Sequence, residues 1–321
     1  MKALAAFLTI SAVWLSGARI VAPGPHVDPV ATSPRQKSVS TFVGTTPATP
    51  AVLQWFGAPG DVNAQLIEWS LDLVKPGDRP GLEQYELRYT YGLTQPNHPG
   101  IARNITRGER RGSVAAGQRV GAPAWAEIIK LDDGPEFARL GPNVLHLLES
   151  DRTLKVGNGG WSYSLNRDGV GEKFDPTLVS NAPEMSYTLT PLATGPSVYG
   201  VFEGRTPCQN IARQLKVRVD AACQKVKWRV TLYHDPQSRA ATTYKVEGGL
   251  NRDGAWEGKW SVTEVSSTKP PATVFRLAAG GRAPAISLLK GDDNVLFFLD
   301  GSDQLLVGNT HLNYSLDRRR R

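Results

Sequence analysis

The chain has 321 residues, with 37 Lys and Arg against 30 Asp and Glu, a net charge of +7 and a pI near 9.4. A surplus this modest reads as a solvated surface and tail, and it supplies no case for a nucleic-acid partner. Beyond the first 18 residues no apolar run approaches the roughly 20 needed to span a bilayer, and the length suits two domains of about 100–150 residues.

Residues 1–18, MKALAAFLTISAVWLSGA, carry Lys2, an apolar run and then Ser16-Gly17-Ala18. This is the pattern of a secretory signal peptide, which predicts an exported, periplasmic or secreted protein. Ala18 stands where a lipoprotein signal would place its lipidated cysteine, so no lipid anchor and no stable transmembrane span are expected. Residues 19–51 are rich in Pro, Thr, Ser and Ala. So little apolar surface cannot offset ordering entropy, and the segment is predicted to be a flexible tether.

The rest of the chain is a repeat. Asn143–Arg167 (NVLHLLESDRTLKVGNGGWSYSLNR) and Asn294–Arg318 (NVLFFLDGSDQLLVGNTHLNYSLDR) align without a gap at an offset of 151, with 12 of 25 positions identical. Repetition settles domain count before any other reading. Upstream, Ala126–Gly134 matches Ala272–Gly280, and RGERRGSV around Gly112 matches AWEGKWSV around Gly258. YELRYTYG from Tyr85 takes the place of TTYKVEGG from Thr242, and Gln54–Leu73 that of Tyr199–Val217. The copies are placed at 52–167 and 197–318, with a linker at 168–196 and a basic tail at 319–321. Within each, short alternating runs such as KVKWRVTLYHD, ATVFRL and NVLFFLD sit between turn residues. That spacing predicts an all-β chain of two small antiparallel barrels, with one short helix near Gln209–Leu215. Closing each sheet removes its exposed edges.

Export also governs the cysteines. Cys208 and Cys223 are the only two, and an oxidising compartment favours a disulfide between them. Closing a loop of about 15 residues contributes roughly 3 kcal/mol in the chain-entropy model. Two separate buried thiols are the alternative.

The second copy resembles the N-terminal domain of the NlpE family of bacterial envelope proteins, associated with copper resistance and envelope stress signalling. The resemblance is carried by Gly204-Arg205-Thr206-Pro207-Cys208, KWRVTLYHD, TTYKVEG, EGKWSV, NVLFFLD and Asn313-Tyr314-Ser315-Leu316. It covers Tyr199–Arg318, and the first copy more weakly at Tyr85–Gly92 and Asn143–Arg167. It implies a lipocalin-like barrel and a role with a membrane sensor or envelope partner. The family's Pro-Cys-x-x-Cys is broken here, because Gln209-Asn210-Ile211 follows Cys208, and the first copy has Ala58-Pro59-Gly60-Asp61 at the place taken as equivalent. The family's metal and thiol chemistry therefore does not transfer residue by residue.

Catalytic signatures are missing: there is no HExxH, GxSxG, phosphate loop or dinucleotide fingerprint. The five histidines are scattered, and His146 shares a repeat position with Phe297, which marks a half-buried strand site. No cofactor and no metal site are expected, a Cys208–His234 soft-metal pair being the remaining metal alternative. The tryptophans offer the clearest candidates for binding. Trp228, Trp256, Trp260 and Trp161 would line an apolar ligand cavity in the barrels, with core packing and strand pairing as the alternative. The sequence thus predicts a monomeric, non-catalytic envelope protein that binds a small apolar ligand or envelope component, or an interaction module for copper or envelope-stress signalling.

Overall fold

The computed structural model describes residues 38–75, 83–95, 100–117, 123–132, 134–175, 177, 191–248, 250, 254–265 and 271–319. The expected signal peptide, the tether up to 37, most of the linker's middle and the last two arginines lie outside the described residues. The first barrel comprises β1 (Ser38–Pro47), α1 (Pro50–Trp55), β2 (Leu66–Lys75), β3 (Glu83–Leu93), β4 (Arg103–Ala116), β5 (Glu127–Leu131), β6 (Glu136–Arg139), β7 (Val144–Leu147) and β8 (Ser164–Arg167). The second repeats the plan with β9 (Val198–Pro207), α2 (Gln209–Gln214), β10 (Lys225–His234), β11 (Ala241–Gly248), β12 (Trp256–Val265), β13 (Ala272–Leu277), β14 (Ile286–Lys290), β15 (Val295–Leu299) and β16 (Ser315–Arg318). Each sheet is antiparallel and closed, β8 returning to β1 and β16 to β9. No helix among the described residues is long and apolar enough to cross a membrane.

The first barrel starts at Ser38, inside the stretch expected to be a tether, and not at residue 52. The strand SVSTFVGTTP is poor in apolar residues, so its composition imitates a linker. It is held by backbone pairing, ten positions with β2 and two with β8. This changes the alignment of the copies. Phe42, Gly44, Thr46 and Pro47 stand where Phe202, Gly204, Thr206 and Pro207 stand, so Cys208 answers to Ala48 and not to Ala58–Asp61. Both glycines are steric requirements, since a Cβ on Gly44 would lie 2.7 Å from the Ser164 carbonyl oxygen, and Gly204 abuts that of Ser315 in the same way. α2 forms where expected, following Pro207, and α1 is its unanticipated counterpart. Each helix and its C-cap sink apolar residues into their own barrel, Val52, Leu53 and the cap Phe56 in one and Ile211, Ala212 and the cap Leu215 in the other.

The two cysteines are joined. Cys208, at the N-terminal end of α2, bonds Cys223 with their Cα atoms 5.7 Å apart.

The strands nearest the partner barrel are buried on both faces, which is why they read as unbroken apolar runs. In β15 (VLFFL), Leu296 and Phe298 point into the second barrel, while Val295, Phe297 and Leu299 join a separate cluster. In β7 (VLHL), Leu145 and Leu147 fill the first barrel and Val144 joins that same cluster. The cluster holds residues of both copies, among them Ile128, Ala138, Val274 and Leu289, and is the core between the barrels.

One interior hydrogen bond recurs. Trp69 Nε1 donates to Thr46 Oγ1 at 2.9 Å, and Trp228 Nε1 to Thr206 Oγ1 at 2.8 Å. All four residues are buried. Replacing Thr206 by Val keeps the shape but strands a buried indole N–H. Urea unfolding of Thr206→Val is expected to show a loss of about 1–3 kcal/mol, with Thr46→Val similar.

Candidate functional site

The four tryptophans expected to line a ligand cavity in the barrels divide between two places. Trp228, Trp256 and Trp260 belong to the apolar interior of the second barrel. Their rings meet the barrel's own aromatics: Trp228 lies 5.1 Å from Phe298 and 6.5 Å from Trp256, and Trp260 lies 4.9 Å from Phe275 and 5.5 Å from Tyr199. The indole of Trp260 donates to the Tyr233 carbonyl at 2.6 Å. These side chains pack against one another and against the barrel's other aromatic rings. Trp161 is elsewhere, half-buried between the barrels beside a cavity of about 10 Å³. Ser162, Arg205, His311, Asn313 and Asp317 share that lining. Such a volume suits one water, not an apolar ligand.

What the copies do bring together is a polar seam. The shared Gly-Asn pair builds the same turn twice. Asn158 Oδ1 accepts the N–H groups of Gly160 and Trp161, and Asn309 Oδ1 those of His311 and Leu312. Gly157 and Gly308 pass so close to the carbonyls of Trp161 and Leu312 that neither position admits a Cβ. Each glycine then donates its N–H across to the other barrel, Gly157 to Asp317 Oδ1 at 2.7 Å and Gly308 to Asn166 Oδ1 at 2.8 Å. Gly157 and Gly308 are repeat mates, as are Asn166 and Asp317, so the two bonds are related by a local twofold. Asn166 Nδ2 also donates to Asn313 Oδ1, and Ser315 Oγ to Ser162 Oγ at 2.7 Å.

Among the titratable groups of this seam, His146 and Asp317 are fully buried. His146, expected to be half-buried, is fully enclosed and stands edge-on to its mate Phe297 at 5.4 Å. Its Nε2 lies 2.9 Å from the Lys155 carbonyl, which can only accept, so Nε2 carries the proton and Nδ1 accepts from Ser164 Oγ at 2.9 Å. Burial lowers its pKa to about 4. Asp317 is also fully buried, and desolvation pushes its carboxyl up to about 7 against the opposing Gly157 N–H and the Arg319 charge. Glu203 engages the guanidinium groups of Arg229 at 2.6 Å and Arg319 at 3.1 Å.

The remaining sequence candidates separate. Cys208 is committed to the disulfide, so it offers no thiolate to His234, whose Nε2 lies 3.0 Å from the Pro196 carbonyl. Among the described residues no group of three or more His, Cys, Asp or Glu side chains could hold a metal ion. The seam went unrecognised in the sequence, although its signal was present: polar residues alternate with Tyr and Leu in SYSLN and NYSLD.

Compared with family models, curated proteins and solved structures, the chain finds no match.

The seam makes a definite pH prediction. Between about pH 4 and 6.5 the unfolded chain carries one proton on the pair, on His146, while the folded chain also carries one, on Asp317. Proton uptake is then equal in the two states, and the pair adds almost no slope to stability in that window. Asp317→Asn, copying Asn166, leaves the depressed His146 alone. Its stability should fall by on the order of 3 kcal/mol as pH drops from 6.5 to 4. His146→Phe, copying Phe297, leaves the raised Asp317 alone. Stability should then fall by a similar amount as pH rises from 4 to 7. Urea midpoints across this range check both slopes, and parallel profiles for the three proteins would refute the account.

Proposed function

We propose that this chain is a non-catalytic, exported cell-envelope protein whose two barrels act as one rigid interaction module, engaging a macromolecular partner through their outer surface. The observation that carries this reading is the mutual packing of aromatic side chains inside the second barrel. Trp228, Trp256, Trp260, Phe275 and Phe298 occupy one another's contact surface, where a lipid-carrying barrel would keep open volume. The resemblance to the NlpE N-terminal domain supports it too, because that family's link to envelope signalling implies a sensor or other envelope protein as partner. A fused pair of barrels with a shared apolar core fits a scaffold better than a carrier, whose walls must part to load cargo.

A small apolar ligand held by the tryptophans is the competing outcome, and one preparation separates the two. Native mass spectrometry of the protein taken from its envelope is expected to give the mass of the chain with one disulfide and no co-extracted lipid. Titration with fatty acids should leave tryptophan emission unchanged, and cross-linking in intact envelopes should yield a discrete protein adduct. Stoichiometric lipid together with saturable quenching would replace the interaction reading with the carrier reading.

A further inference from the structure

The two barrels differ most at the fourth strand. In the second barrel β12 is divided between its neighbours, Trp256–Lys259 pairing with β11 and Trp260–Val265 with β13. In the first, β4 pairs with β3 from Arg103 to Val114, yet only Val114, Ala115 and Ala116 meet β5. Ser113 is accounted for on that side by Asp132, which accepts its N–H and donates back to its carbonyl. Beyond it, Thr106–Gly112 forms a regular ladder with β3 alone, and no other described element pairs with its second edge. Seven residues extend about 24 Å, enough for a strand of ordinary length. The register shifts next to this stretch, between Tyr91 and Leu93, and Asn104 there has φ 52°.

An open edge is a template for another strand, and the charges say which kind. β4 carries Arg103, Arg107, Arg110 and Arg111 against one acid, Glu109. Arg111 stands opposite Glu86 and lies 3.9 Å from Glu109, and Arg110 covers the Trp55 ring at 5.2 Å. Arg103 and Arg107 stand opposite Leu93 and Thr90, are exposed, and have no acidic partner among the described residues. A second copy joining edge to edge would set these arginines against each other, and like charges across strands are destabilising. An acidic strand would instead neutralise them while satisfying the open main-chain groups.

We propose that the free edge of β4, Thr106–Gly112, receives an acidic extended segment of a partner protein as an added strand, oriented by Arg103 and Arg107. This rests on the interaction-module reading and names the surface through which it operates.

The full-length protein is titrated into a fluorescein-labelled alternating Glu-Val octapeptide. Three comparisons accompany it: a Lys-Val octapeptide, a Glu-Val octapeptide methylated at alternate backbone nitrogens, and the Arg103→Glu/Arg107→Glu variant. Saturable binding of the first peptide is expected, weakened at least tenfold by the double charge reversal and by backbone methylation, with amide exchange at Thr106–Gly112 slowed in the complex. Equal binding of the methylated peptide would show charge attraction without strand addition and overturn the proposal. So would equal binding of the Lys-Val peptide, or no binding at millimolar concentration. Should the variant unfold, the methylated peptide on the unaltered protein still decides. In envelopes, an adduct that survives the double reversal would sink this edge and leave the interaction module standing, whereas the lipid result described above would sink the module itself.

Discussion

Everything in the two-barrel unit depends on burying the same short strands from both sides. Strands of four and five residues, such as β7 and β15, have little ladder to hold them. Facing their own barrel they contribute Leu145, Leu147, Leu296 and Phe298, and facing the other copy they contribute Val144, Val295, Phe297 and Leu299. Each such side chain removed from water contributes about 1.5–3 kcal/mol. A barrel standing alone would expose the second set as a contiguous apolar face, a feature that soluble monomers avoid. The shared core is therefore part of what makes each barrel stable, not a contact made after folding.

The same geometry explains which part of the repeat stayed alike. A twofold contact is self-complementary, so a residue in one copy meets a position whose mate must meet its own. Gly157 and Gly308 show the constraint at its strictest, because each must lack a Cβ, turn the chain and donate across the seam. Asn166 and Asp317 differ by one functional group yet accept the same bond. Their difference places a carboxyl in a buried site, and desolvation raises its pKa to about 7. On the other side of the seam burial keeps His146 neutral. Burial thus disfavours the charged form of both groups, as a low-dielectric interface does.

The duplicated all-β plan was readable because alternation and unbroken apolar runs are local signals. The boundaries were less so. β1 escaped notice because Thr45 and Thr46, although buried, are the residues of a linker by composition. Its pairing partners lie far along the chain at β2 and β8, and no local pattern announces them. α2 was visible behind Pro207, whereas α1 was hidden by the same mistaken boundary. Trp228, Trp256 and Trp260 lie inside a barrel and Trp161 does not, and how aromatic rings meet is something that spacing along a strand does not report. The alternation of polar residues in the seam was present in the sequence, but its pairing was not, because its bonds join residues more than 140 positions apart.

Fusion of two copies into one chain also accounts for where they diverge. Once the apolar faces are held against each other within a single chain, features away from the seam are free to differ between copies. The second barrel fastens the start of α2 with Cys208–Cys223, while the first has Ala48 at the matching place. Its α2 is further tied to the segment that follows the first barrel, since Glu172 accepts the N–H groups of Gln209 and Asn210. The first barrel carries the departure at β4, where arginines crowd a strand whose counterpart is shared between two neighbours. Among the described residues the disulfide lies in one copy and the open edge in the other. A single barrel would have to reconcile a rigid shell with a free edge. The pair separates them, letting the second barrel brace the shared core while the first leaves one edge of β4 without a partner among the described residues.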